Sequence, residues 1–156
     1  MLYISINIGD FEKDKIIISE KTRNNVISNS DFYRFYYSDD YFNSNGIYIN
    51  FKLTDIIAEK YYNKIKFIFN NNNNNNKVIK NIIDIEKSIL NKFNSVSNSS
   101  RPSHRINEQL TNSFIKIFNE NFNSYNHHQE VEFLLKISGL WVTQSEYGLT
   151  FRFYII

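Results

Sequence analysis

Three observations predict a mainly β fold with one central helix. Most apolar segments alternate with polar residues at a period of two, the signature of strands with one buried face. Only one stretch, residues 77–93, carries the 3.6-residue apolar period of a helix. No strand–helix–strand rhythm recurs, which argues against a parallel doubly wound sheet. At 156 residues the chain suits a single domain, 1–156, with a real core. The expected architecture is an OB-like β-barrel, with a small β-sandwich as the alternative.

The elements follow in order. Leu2, Ile4, Ile6 and Ile8 line one face of a first strand, with Tyr3, Ser5 and Asn7 on the other. Residues 15–18 make a short second run. Residues 32–37 read Phe-Tyr-Arg-Phe-Tyr-Tyr, an aromatic strand ended by Ser38-Asp39-Asp40. A turn at 43–46 follows, where Asn45-Gly46 readily takes positive φ. The clearest strand comes next, with Ile47, Ile49, Phe51 and Leu53 inward and Tyr48, Asn50 and Lys52 outward. Thr54-Asp55 suggests a cap for a short helical turn through Tyr62, and residues 64–69 alternate again. The seven Asn residues at 70–76 read as a loop insert without core-forming capacity.

In the helix 77–93, Val78, Ile82, Ile85, Ile89 and Phe93 share a face, widened by Ile79, Ile83 and Leu90. Residues 94–105, rich in Ser and Asn and holding the one Pro, read as a flexible connection. Strands then resume at 114–118 and 133–138. Leu140-Trp141-Val142, the turn 144–148 and the strand 149–156 close the chain as a β-hairpin.

Composition excludes several function classes. The absence of Cys removes disulfide frameworks, thiol chemistry and Cys-ligated zinc. Four Gly leave little room for a phosphate-cradling loop, and neither GxGxxG nor GxxxxGK[ST] occurs. The 25 Asn and 24 Ile reflect A/T-rich codons, which supply Phe and Tyr as well, so only the placement of aromatics bears on function. The net charge of +2 is far from the basic excess of a protein held on duplex DNA by charge alone. The six Lys and Arg between 77 and 105 read as a solvated helix face and loop. The alternation at 2–8 is a strand and not a signal-type apolar run, and no apolar run approaches a membrane span, so an intracellular location without membrane contact is expected. Asn98-Ser99-Ser100 matches a glycosylation acceptor by chance.

No catalytic constellation stands out, so no enzyme activity, cofactor, metal or small-molecule substrate is expected. His127 and His128 are adjacent, which on an extended chain sends them to opposite faces, and they are read as part of a polar loop. Asp84 and Glu86 do not share a helix face. Binding fits better. A single-stranded nucleic acid needs cations along its phosphates and flat rings beneath its bases. Arg34 shares a strand face with Phe32 and Tyr36; Tyr48 lies on the face of Lys52; Lys64 pairs with Lys66; Arg152 stands beside Tyr154. Trp141, the one Trp, completes the candidate set.

The end of the chain carries a family resemblance. Leu135-Lys-Ile-Ser-Gly-Leu-Trp141, followed by Tyr147-Gly-Leu-Thr-Phe-Arg-Phe153, resembles the C-terminal block of a family of small proteins of nucleocytoplasmic large DNA viruses. Phe32-Tyr-Arg-Phe-Tyr-Tyr-Ser38 with Asn45-Gly-Ile-Tyr-Ile49 is similar to an upstream block of the same family. Together the blocks cover about a third of the chain. Through its layout that family looks like the OB-fold single-stranded-DNA-binding proteins of T7-like phages and large viruses. The resemblance implies a non-catalytic single-stranded-DNA-binding protein of viral DNA replication, repair or recombination, working in the host cytoplasm or nucleus. Phage-type binders usually end in an acidic tail that recruits partners, whereas this sequence closes on Phe153-Tyr154-Ile155-Ile156, so tail-mediated recruitment is not expected. RNA as a ligand and self-association stay open. The competing class is a viral structural or assembly protein acting through protein–protein contacts.

Overall fold

Most alternating segments become strands in a computed structural model, which describes residues 4–24, 27, 29–97, 100–118 and 127–156. Among these residues only Ile6–Asn7 of the expected first strand is extended, since Ile8 opens a 3-10 turn and Ile4 is exposed. Eleven strands among these residues form one hydrogen-bonded system: β1 (Ile6–Asn7), β2 (Ile16–Ile18), β3 (Thr22–Arg23), β4 (Asp31–Ser38), β5 (Asn43–Asn45), β6 (Ile47–Tyr61), β7 (Lys64–Phe69), β8 (Arg101–Ser103), β9 (Phe114–Phe118), β10 (His127–Val142) and β11 (Glu146–Ile155). Two helices accompany them, α1 (Asn73–Lys92) and α2 (Arg105–Thr111). Neither is long and apolar enough to cross a membrane.

Strand β10 organises the sheet. One edge pairs antiparallel with β11 from Phe133 to Val142. The other pairs with β6 from His127 to Ile137, then with β4 from Gly139 to Val142. β6 carries β7 on its far side, and β7 carries β9. β9 comes alongside β11 without pairing, so the sheet curls but does not close into a hydrogen-bonded barrel. The closing β10–β11 hairpin is as the sequence predicts.

Alternation decides the core. Ile47, Ile49, Phe51 and Leu53 point inward with Ile65, Phe67, Ile115, Ile117, Phe133, Leu135 and Ile137. Helix α1 adds Ile82, Ile85, Ile89 and Leu90, and Phe93 stacks on Phe35 with centroids 5.2 Å apart. The β10–β11 register shifts between Ile137 and Gly139. This bulge turns Leu140 into the core and sends Trp141 to the opposite face. Here β4 crosses so closely that a Cβ on Gly139 would lie 2.2 Å from the Tyr33 carbonyl oxygen.

Several expectations need correction. Residues 54–62 are not helical: β6 continues to Tyr61 past a left-handed Asp55 (φ +52°), and Tyr62 (φ +56°) lies in the turn to β7. The run at 70–76 is not a loop insert throughout. Asn73–Asn76 form the first turn of α1, and Asn72 caps it by accepting the Asn75 backbone N–H at 2.8 Å. Asn75 is only 1% exposed. Its side chain bonds Thr54 N and Thr54 O, both at 2.8 Å. In the β6–β7 register, residue 71 would face Thr54. β7 ends before reaching it, and the Asn75 amide supplies both ladder bonds instead.

The connection 94–105 contains a 3-10 turn, Asn94–Ser97, and β8, which pairs parallel with β11. Its glycosylation-type triplet falls partly outside the described residues, as do Leu2 and Tyr3 of the expected first strand. His127 and His128 do not lie in a loop; they begin β10.

Candidate nucleic-acid interface

The outward face of β11, β10 and β6 is ordered by cross-strand pairing. Arg152, Lys136 and Tyr48 form one row; Tyr154, Leu134 and Asn50 form the next. The Lys136 ammonium sits 5.5 Å from the Tyr48 ring centroid, held by the ring's negative face. Gly46 (φ +95°) lets β5 turn into β6 here; a Cβ on it would meet Lys136 Cε at 3.6 Å and Tyr48 Cε2 at 3.7 Å. One residue earlier, Asn45 accepts a 3.2 Å hydrogen bond from Arg34 Nη1. Arg34 opposes Gly139 on the edge of β10, and Tyr36, exposed, lies between Ile17 and Asn45. The fold thus sets Lys136 against Tyr48, with Arg152 on the next strand, Arg34 on β4, and Tyr154 and Tyr36 at the margins.

Four predicted residues lie elsewhere or are otherwise engaged. Lys52 is on the same face but toward its acidic end, 3.4 Å from Glu130 and opposite Glu132. Lys64 and Lys66 are on β7, opposite Tyr61 and Glu59 of β6. Glu59 is eleven residues beyond Tyr48, about 36 Å along an extended strand. Trp141 is corrected outright: it is 2% exposed. The Arg105 guanidinium lies 4.5 Å over its ring, and a Cβ on Gly148 would lie 2.6 Å from its Cζ2. A ring so enclosed offers no face to a base.

Sequence reasoning missed Lys136, Lys60, Lys116, Tyr61, Phe114 and Phe118. The signal was present, since each sits on the polar side of an alternating strand or at its end. Only the pairing of β7 with β9, and of β10 with β6, shows what they join.

Two polar clusters have structural work. Glu86, 1% exposed, accepts the backbone N–H groups of Ile106 (2.8 Å) and Asn107 (3.0 Å) at the start of α2, with His104 Nδ1 3.9 Å away. Burial pushes its carboxyl above the ordinary glutamate range, against the lowering effect of those two donors and of His104. His127 Nε2 lies 3.7 Å from Asp55 Oδ1. Among the described residues no three His, Cys, Asp or Glu side chains converge to hold a metal ion.

The β4–β6–β10–β11 face therefore sets cations beside aromatic rings, an arrangement with the chemistry to hold an anion bearing flat groups. No protein-family model, no curated protein and no solved structure matches this chain, so its function is argued from that face.

Proposed function

We propose that this protein is a non-catalytic single-stranded-DNA-binding protein of viral DNA replication, repair or recombination. In this reading its curled sheet is an OB-like barrel left open between β9 and β11, acting in the host cytoplasm or nucleus. One observation carries the reading: three cations, Arg34, Lys136 and Arg152, lie on adjoining strands of the face that holds Tyr48, Lys136 against its ring, with Tyr154 in the next row. Cations neutralise phosphates and rings stack on bases, a combination suited to unpaired strands because every base has a π face. The family resemblance of the hairpin and of the Phe32–Ser38 segment supports the viral setting.

The test is fluorescence anisotropy of a labelled oligothymidine at two salt concentrations. Three phosphate contacts give a slope of about −2 in log affinity against log salt. Absence of binding at 50 mM salt overturns the reading.

A second reading, assembly through protein–protein contacts, is favoured by exposed apolar residues: Ile57 at 47% and Phe118 at 59%, on the β6–β7–β9 side where β9 ends the sheet. Sedimentation that finds a salt-insensitive oligomer without oligothymidine affinity supports this alternative.

A further inference from the structure

Three lysines crowd a second face, away from the surface around Tyr48. The end of β6, β7 and β9 set their outward side chains in rows: Ile57, Ile68 and Phe114; Glu59, Lys66 and Lys116; Tyr61, Lys64 and Phe118. A cavity of about 260 Å³ opens there, lined by Glu59, Lys60, Tyr61, Lys64, Lys66 and Lys116. Lys64, Lys66 and Lys116 thus share this face with one carboxylate, Glu59; Lys60, paired with the buried Ile65, lines the cavity from the other side of the strand. Lys66 and Lys116 stand directly opposite each other, a like-charge pair that destabilises a sheet, with Glu59 across from Lys66 on its other side as the one carboxylate of the row.

The aromatic rings order these lysines. Lys64 Nζ lies 4.8 Å from the Phe118 centroid, and Lys66 and Lys116 lie 4.7 and 5.2 Å from that of Phe114. Held against ring faces, the ammonium groups are partly pre-placed for a ligand. With three ammonium groups and one carboxylate, the face is suited first to phosphates.

We infer that this face is a second contact for the same single strand, gripping its backbone phosphates eleven residues along β6 from Tyr48, at most about 36 Å away. The inference rests on the proposed single-strand binding. A second copy of this chain docked face to face would set lysine against lysine, whereas a polyanion neutralises all three. At the 3.4 Å spacing of stacked nucleotides, the span corresponds to about eleven nucleotides, within the roughly 4–16 occupied by an OB fold.

The experiment measures anisotropy of labelled (dT)5 and (dT)20 with the full chain, as wild type, Lys66→Gln/Lys116→Gln, Lys116→Gln and Arg152→Ala. Only (dT)20 reaches both faces. The double variant should flatten the (dT)20 salt slope by about 1.4, which is about sevenfold less affinity lost between 50 and 200 mM salt, and leave (dT)5 unchanged. The single variant should flatten it by about 0.7 and serves if the double variant does not fold. Arg152→Ala should weaken both oligonucleotides. Unchanged (dT)20 slopes in the lysine variants, with wild-type binding intact, overturn the second contact alone. Failure of wild type to bind either oligonucleotide overturns the function and this inference with it. Self-association abolished by the lysine substitutions assigns the face to a protein partner and also overturns it.

Discussion

Arg152 and Tyr154 alternate with the buried Phe153 on β11, so substitutions there probe the surface more than the core. Tyr154→Ala is expected to weaken oligothymidine binding by about 1–3 kcal/mol, the range for one stacked base, measured by anisotropy titration. Gly139 belongs to the same hairpin for a different reason. A Cβ at that position meets the Tyr33 carbonyl oxygen at 2.2 Å and the Phe32 ring at 2.6 Å, so backbone must move. Gly139→Ala should lower stability by about 1–3 kcal/mol in urea unfolding. Gly9→Ala meets no atom within 4 Å and should leave the midpoint nearly unchanged. The Gly139-x-Trp141 block was legible as a motif, but its physical cause was not. Nothing in the chain order tells that Phe32 and Tyr33 lie against Gly139, or that Arg105 and Gly148 enclose Trp141.

Helix α1 was legible over 77–93 because its apolar residues repeat at 3.6, yet its first turn was not, because seven identical Asn residues carry no contrast between positions. Geometry separates them: Asn72 caps the helix and Asn75 completes the ladder at Thr54. Asn75→Ala leaves that buried strand backbone unpaired and should cost about 2–4 kcal/mol, from two lost bonds and their desolvation, whereas Asn74, exposed, should tolerate alanine. Helix α2 was missed because its cap is remote in sequence. Glu86 reaches it across twenty residues. The carboxyl of Glu86 is raised by burial, so the folded state holds its proton more tightly than the unfolded state. The resulting stabilisation is full below the ordinary glutamate pKa and is lost as pH rises through the folded value. The urea midpoint of wild type relative to Glu86→Gln should therefore fall as pH is raised from about 4 to 7.

At the scale of the molecule, period-two alternation identified most strands, because a half-buried strand writes its two faces into the sequence. It misjudged where strands continue, since β6 resumes after a left-handed Asp55 and runs on to Tyr61 where a capped turn was expected. Alternation also assigned outward faces correctly for Tyr48, Arg152 and Lys66, but pairing is a long-range property. It divides the predicted cations between a surface around Tyr48 and a lysine cavity on β7 and β9, and it couples Lys52 to Glu130. A near-neutral chain thereby concentrates positive charge locally, which total charge cannot reveal. The most direct measurement is the affinity of the full chain for (dT)20 between 50 and 200 mM salt. The account predicts binding with a slope of at least about −2, an affinity loss of roughly twentyfold or more. No binding at 50 mM salt, or binding indifferent to salt, would contradict it.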